Sequence, residues 1–334
     1  MEMEHENCPI VSIGMPVFNG EKGLARALDS LLGQDYPNLE ITISDNASTD
    51  ATLEICKEYV KKDSRIKYYC SEENLGSTWN FNRVFELSTG KYFMWAAHDD
   101  LRESSFVSAC VEKMEQCPEA SLCQVHTAMF IDGRKERLCV ANLDSFEGVT
   151  GLVERYQETL KHFPATAIYG LYRSSAMRKT RRFEKVIATD LAFIQELSIH
   201  GNFVQVPEVL FNYYGREKWN TVHQDYKVFF GKDRKPWWYL PFVALFCNHW
   251  SRVASTPLPF SLKLRLWWVL LWHETGQVAL KILIKVSGRV CPVVWKEKLA
   301  CVIYGRWMRG PNLLIGCDDL LLERVIKPKL GWWR

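Results

Sequence analysis

Apolar and polar positions follow two periods along the first hundred residues. "IVSIGMPVF" (Ile10 to Phe18), "LEITIS" (Leu39 to Ser44), "RIKYYC" and "KYFMWAA" are short apolar runs rich in β-branched and aromatic residues. Such runs read as strands buried on both faces. Between the first two, "GEKGLARALDSLLGQ" places Leu24, Ala27, Leu28, Leu31 and Leu32 at helical spacing. "STDATLEICKEYVKK" opens on the cap candidates Ser48, Thr49 and Asp50 and continues as a helix; "LGSTWNFNRVFELSTG" is a helix ending at Gly90, and "SSFVSACVEKMEQC" is another. Strands separated by helices predict an α/β fold with a mostly parallel central sheet covered by helices on both faces. In such sheets ligands bind beyond the carboxyl ends of the strands.

The period changes after Ala120. "ASLCQVHTAMFIDG" predicts a strand closing on an Asp-Gly turn, and "GLVERYQETLKHF" a helix. "ATDLAFIQELSIHG" predicts a helix with Thr189 or Asp190 near its start and Gly201 as its stop. "FVQVPEVLFNYY" predicts two short strands around Pro207. Beyond about Asp225 clustered aromatics and basic residues take over, which divides the chain into a first domain, 1–225, and a helical C-terminal region, 226–334.

Composition narrows the classes. A chain of 334 residues that is 47% hydrophobic can bury a sizeable core, and its net charge of +3 lacks the basic excess of a nucleic-acid binder. The 11 cysteines show no Cys-x-x-Cys pair or Cys/His ligand spacing, which predicts reduced, mostly buried thiols in a cytoplasmic setting. "MEMEHENCPI" is acidic, without the basic and apolar regions of a secretory signal, and no run reaches the roughly 18 uncharged apolar residues of a spanning helix.

Candidate chemistry begins where the fourth apolar run stops on "HDD", His98 to Asp100. Ionised carboxylates are costly to desolvate. Either the run surfaces there and the pair is solvated, or a positive group sits between the two. Neither G-x-G-x-x-G nor G-x-x-x-x-G-K-[ST] is present, which argues against a dinucleotide dehydrogenase or a P-loop enzyme. The first strand ends instead on "PVFNGE" and the second on "SDNASTD".

In order, "VSIGMPVFNGE", "LEITISDNASTDAT", "NLGSTWNFN", "WAAHDD" and "ATDLAFIQELSIHG" resemble the family 2 glycosyltransferases of GT-A fold, of the bacterial cell-surface glycan type. The resemblance covers about the first two-thirds of the chain. It implies a metal-dependent, inverting glycosyltransferase using a nucleotide-diphospho-sugar, with UDP expected. It implies that Asp100 ligates Mg²⁺ or Mn²⁺ bridging the donor diphosphate, a role suited to carboxylate oxygens, and that Asp99 approaches the donor ribose or the metal's shell. Asp45 and Asn46 match the family's nucleotide-reading turn, with Asn46 replacing the usual second acid. That departure leaves the base identity open, since Asn carries both an acceptor and donors. Pro16, Val17 and Asn19 match the loop lying against the nucleotide, and Gly76 the close approach of backbone to donor. Asp190 stands where the family places the catalytic base, with Thr189 in place of an acidic neighbour. His223 is a further candidate ligand for phosphate or metal.

Each position has a structural alternative. Asp45 and Asn46 form turns as readily as they read a base; Ser48, Thr49 and Asp50 cap a helix; Asn80 and Arg83 are ordinary helix-surface residues; Asp190 suits a helix N-terminus; and His98 is a common structural residue.

The C-terminal region concentrates Trp with Lys and Arg in "KPWWYLPFVALF", "LKLRLWWVLLWHETGQVALKILIKV" and "GWWR". This combination predicts helices lying in the cytoplasmic face of a membrane, which suits a glycan or polyprenyl-linked acceptor. The alternative is a soluble helical subdomain packing its tryptophans onto the first domain. Rival functions are a sugar-phosphate nucleotidyltransferase, whose Gly-rich signature after the first strand is missing, and an inactive nucleotide-binding membrane scaffold.

Overall fold

The computed structural model describes residues 8–131, 139–141, 146, 148–161, 165–186, 188–215, 222–230 and 240–273. The first hundred residues form β1 (Val11–Val17), α1 (Leu24–Leu32), β2 (Leu39–Asp45), α2 (Thr52–Lys62), β3 (Ile66–Cys70), α3 (Ser77–Glu86) and β4 (Tyr92–Trp95). These strands pair only in parallel, in the order β3-β2-β1-β4. The sheet continues through β5 (Leu101–Arg102), β6 (Ala120–Ile131), β7 (Cys139–Ala141), β8 (Leu171–Arg173) and β9 (Asn202–Gly215), in full order β3-β2-β1-β4-β8-β6-β9-β5, with β7 on β6. The added pairs are antiparallel except the long parallel ladder between β6 and β9. The predicted mostly parallel α/β sheet is therefore the one observed.

The unbroken apolar run of β4 is explained by its two faces. Tyr92, Met94 and Ala96 join the core that holds α1, α2 and α4 (Phe106–Gln116), whereas Phe93 and Trp95 point into a second core with Val84, Phe85, Tyr172 and Phe193. A strand buried on both sides has no place for polar alternation. Gly14 of β1 lets α3 lie close: a Cβ there would come within 2.7 Å of Phe93 Cζ and Val84 Cγ2.

One expectation is corrected. The segment around Pro207 is not two strands but a single strand, β9, with a bulge. Val125 pairs with Val206 and His126 with Val209, so Pro207 and Glu208 are skipped. Proline has no N–H to give the ladder, and looping it out lets pairing with β6 resume beyond it in a shifted register.

Helices α5 (Leu152–Lys161), α6 (Ser174–Met177), α7 (Thr189–Leu197), α8 (Val222–Phe230) and α9 (Pro241–Ser255) follow, with a 3₁₀ turn at Ala165–Tyr169 and, last among the described residues, helix α10 over 260–273. Helix α8 crosses the expected boundary at Asp225, and α9 packs on α7. The region 274–334, including "GWWR", and the tryptophans of "KPWW" lie outside the described residues. Among the described residues no helix is long and apolar enough to cross a membrane, and the seven cysteines whose side chains are described are free.

Candidate active site

The loops leaving β1 and β2 are clasped together. Asn19 has positive φ (53°), its N–H donates to Ser48 Oγ, and its side-chain oxygen accepts from the Thr49 N–H at 2.8 Å. Gly20 N–H donates to Thr52 Oγ1, and Glu21 N–H to Asp50 Oδ2. Asp50 also accepts the Thr52 N–H at 3.1 Å, so the predicted capping acid does serve the start of α2. These bonds hold its carboxyl below the usual range although burial opposes them. Pro16 and Val17, at the end of β1, are buried; Phe18 and Asn19 just beyond it are exposed.

Asp45 and Asn46 are both buried, and both hold loops. Asp45 Oδ1 accepts from the backbone N–H and the hydroxyl of Ser48, and Oδ2 accepts from Tyr68 Oη at 2.8 Å. Asn46 Oδ1 accepts the Leu75 N–H at 3.0 Å, and its Nδ2 donates to Asn74 Oδ1 at 2.9 Å. Asn74 Oδ1 in turn accepts the N–H of Gly76, whose φ of 87° only glycine adopts readily. A carboxylate at this position would have no proton to give Asn74. Asn80 ties the same region to the sheet, its Nδ2 donating to Ser44 O at 2.9 Å and Val17 O at 3.2 Å. Ser77 Oγ, Thr78 Oγ1 and Asn80 Oδ1 are buried beside Gly76 with no hydrogen-bond partner among the described residues.

The "HDD" segment follows β4 and is brought against the start of α1. A Cβ on Gly23 would lie 2.8 Å from His98 O and 2.9 Å from Asp99 Cα, and one on Gly20 would lie 3.0 Å from the His98 ring. Asp99 is half-buried and Asp100 fully buried. Asp100 Oδ1 accepts the Tyr214 N–H of β9 at 2.8 Å, while Oδ2 is buried with no hydrogen-bond partner among the described residues. Burial, reinforced by the charge of Asp99, pushes the Asp100 carboxyl up to about 7; the Tyr214 N–H and Arg102 only partly offset this. An orphaned buried carboxylate oxygen beside a second carboxylate fits a divalent cation. Among the described residues no cluster of three or more His, Cys, Asp and Glu forms, so such an ion would complete its shell with ligand or water oxygens.

Arg102 is the residue that sequence reasoning missed. It lies wholly inside, between Phe106 and Phe211, and donates to Trp95 O at 2.7 Å. Burial lowers it to about 10, and the Asp100 charge counters the fall. A single Arg after an acidic pair has no motif; only the fold reveals that it underlies the turn.

Asp190 comes from another element. Helix α7 starts at Thr189 behind Ala188, which takes left-handed backbone (φ 58°) and gives no side-chain cap. Thr189 is buried and accepts the Glu184 N–H at 2.8 Å. Asp190 is half-buried, and its charge adds to the burial that raises the Tyr172 phenol. Trp95 links the two halves: its ring lies 5.2 Å from Phe193 of α7 and 5.3 Å from Tyr172. The strand that leads to the acidic pair and the helix whose first turn holds Asp190 thus share one aromatic core. His223 lies in α8, and its side chain is outside the described residues.

A family model described as "Glycosyl transferase family 2" matches residues 12–185, just over half the chain. An uncharacterized glycosyltransferase from Haemophilus influenzae is 35% identical over 111 residues, 33% of this chain and 34% of that protein. The chain matches well under half the length of its curated relatives. Among solved structures, S. aureus TarS 1-349 in complex with UDP-GlcNAc superposes with a TM-score of 0.58 at 16% identity, covering 80% of this chain and 72% of that one. A mannosyltransferase from Pyrobaculum calidifontis in complex with GDP-Man and Mn²⁺ gives 0.55 at 15% identity, covering 98% and 88%. At such identities these two likenesses speak for the fold alone.

Proposed function

Because the chain belongs to glycosyl transferase family 2, we propose that it moves a sugar from a nucleotide-diphospho-sugar, with UDP as the expected nucleotide, to a hydroxyl of a glycan or polyprenyl-linked acceptor, with inversion and with help from a divalent cation. The observation that carries this reading is Asp100: a buried carboxylate, one oxygen without a partner among the described residues, placed beyond the carboxyl ends of parallel strands. The solved neighbours named above hold UDP-GlcNAc in one case and GDP-Man with Mn²⁺ in the other, and the proposal carries a nucleotide-sugar and a metal over to this chain from that shared fold.

In the proposed reaction, the loops at Pro16 to Asn19, Asp45, Asn46 and Gly76 shape the nucleotide pocket, mostly through backbone that their side chains hold in place. Asp100, with Asp99 beside it, would hold Mg²⁺ or Mn²⁺. When bound, that ion supplies positive charge opposite the departing diphosphate. Asp190 takes the proton of the acceptor hydroxyl as its oxygen bonds to the anomeric carbon, while the bond from that carbon to the diphosphate oxygen breaks. The Trp- and Lys/Arg-rich C-terminal region would bring a lipid-linked acceptor within reach at the cytoplasmic face of a membrane.

Thermal unfolding with UDP, GDP, dTDP and CMP, each with and without Mn²⁺, tests the donor side, since a ligand bound only by the native state raises the midpoint. UDP with Mn²⁺ should give the largest rise. No rise with any nucleotide would sink the reading, and binding without sugar release from any donor would favour an inactive scaffold.

A further inference from the structure

Helix α10 has two unlike faces. Leu266 and Leu270 are fully buried, and Trp267 stacks on Trp250 of α9 with ring centroids 4.8 Å apart and donates its indole N–H to Trp250 O. On the other side Leu264, Trp268 and Trp272 recur every fourth residue and are 49%, 65% and 70% exposed, and Phe260, 67% exposed, begins the same row with its ring edge-on to Trp267. Residues at that spacing form one slowly winding row on a helix. A row of three aromatics and a leucine facing outward marks a surface that something covers.

The composition of the sequence from here on indicates what. The sequence of α10 has Lys263 and Arg265 and no acid. From residue 260 to 334 the sequence holds thirteen Lys and Arg against five Asp and Glu, whereas the whole chain carries only +3. Seven of the 13 tryptophans lie in that stretch. Aromatic side chains settle at the headgroup level of a bilayer, and basic residues near them are drawn to anionic lipid. We infer that α10 lies flat on an anionic lipid surface with the row Phe260, Leu264, Trp268 and Trp272 inserted among the headgroups. This rests on the membrane-surface part of the proposed function and specifies which face makes the contact. It also has a structural consequence. Trp267 fixes α10 to α9 through Trp250, and two residues further along α9 Arg252 pairs with Glu196 of α7. The lipid contact therefore fixes the height of the helix that begins at Thr189 and Asp190 above the headgroups, where a lipid-borne hydroxyl would be presented.

The test uses the full chain, vesicles of phosphatidylcholine with phosphatidylglycerol, and vesicles of phosphatidylcholine alone. Wild type should sediment with the anionic vesicles and far less with the neutral ones. The triple variant Phe260→Ser, Leu264→Ser, Trp268→Ser should lose at least about tenfold in vesicle affinity, given the apolar area removed. Trp268→Glu alone should lose much of it. Trp268 is exposed and points away from the joint with α9, so Trp268→Glu should keep the unfolding midpoint and the binding of UDP with Mn²⁺ in solution at wild-type values. Undiminished vesicle binding by the triple variant would overturn the inference. So would a wild-type dimer that the triple variant turns into a monomer, since the row would then be covered by a second copy. Failure of nucleotide binding with vesicle binding intact would strike the transfer reading and leave this one standing.

Discussion

Arg252 of α9 and Glu196 of α7 form an ion pair in which both side chains are only 2% exposed. Arg252 also donates to Asn248 Oδ1 at 2.7 Å and to Arg182 O at 2.7 Å, and pairs with Glu184 at 3.0 Å. Burial pushes the Glu196 carboxyl up and the Arg252 guanidinium down, and each is opposed by the partner's charge. The pair therefore fixes where α9 sits on α7 more than it adds net stability. Sequence alone places these residues in separate regions; the fold joins the C-terminal helices to the helix carrying the candidate base.

Removing one partner should be far worse than removing both. Arg252→Ala leaves Glu196 buried without its counter-charge and should cost about 3–5 kcal/mol. The double variant Arg252→Met, Glu196→Leu should be markedly milder. Urea unfolding of the three proteins measures this, and equal losses in single and double variants would show that the arginine's packing, not its charge, is what matters.

The Asp100 carboxyl predicts a pH dependence. Its native value, about 7, lies above the ordinary carboxylate range that it regains on unfolding. Between roughly pH 4 and 7 the native state keeps a proton that the unfolded chain has lost, so the metal-free protein loses stability as pH rises through that window. Above it the full cost of a buried charge is present. Asp100→Asn should raise the unfolding midpoint at pH 8 in chelator, have little effect near pH 4, and lose the Mn²⁺-dependent gain in nucleotide binding. A midpoint at pH 8 lowered by the substitution would contradict the account.

Gly23 predicts a disruption by geometry alone. A methyl group there meets the backbone of His98 and Asp99, which cannot swing aside as a flexible side chain can. Gly23→Ala should push the acidic turn away from α1 and weaken Mn²⁺-supported UDP binding by about tenfold or more, with a stability loss of about 1–3 kcal/mol. Isothermal titration together with thermal unfolding separates the two effects.

Asn46→Asp, which restores the acid usual in the family turn, should not improve this protein. The introduced carboxylate would set an oxygen against Asn74 Oδ1, which already accepts from Gly76. A stability loss of about 1–3 kcal/mol is expected from the unsatisfied contact, with weaker nucleotide binding because the 71–76 loop is loosened. Tighter UDP binding in this variant would mean that Asn46 faces the base rather than the loop.

The elements were legible because their causes are local. Leu24, Leu28 and Leu31 repeat at helical spacing, and the β4 run is apolar throughout because residues of both parities are buried. The bulge at Pro207 was not, because its cause is the ladder between β9 and β6, two strands far apart in sequence. In the same way Asp99 and Asp100 announced themselves as a polar stop on a buried strand. Arg102, Asn74 and the Glu196–Arg252 joint acquire their roles only through partners distant in sequence or through burial that no short pattern encodes.

The last prediction separates the two acids that the proposed reaction uses differently. Asp190 lies in the first turn of α7, and Asp100 follows β4, so the two are carried by separate elements that share the Trp95 core. If Asp190 serves the acceptor, Asp190→Asn removes a proton acceptor while preserving side-chain size. UDP binding and its response to Mn²⁺ should then stay near wild type, while transfer falls by about two to four orders of magnitude, the scale of general-base assistance. Asp100→Asn should instead weaken the metal-supported binding itself. Titration of both variants with one labelled nucleotide, with a transfer assay on a polyprenyl-linked or oligosaccharide acceptor, reads both quantities. Loss of nucleotide binding in Asp190→Asn as severe as in Asp100→Asn would assign Asp190 to the donor pocket or to the fold, and the base would have to be sought elsewhere.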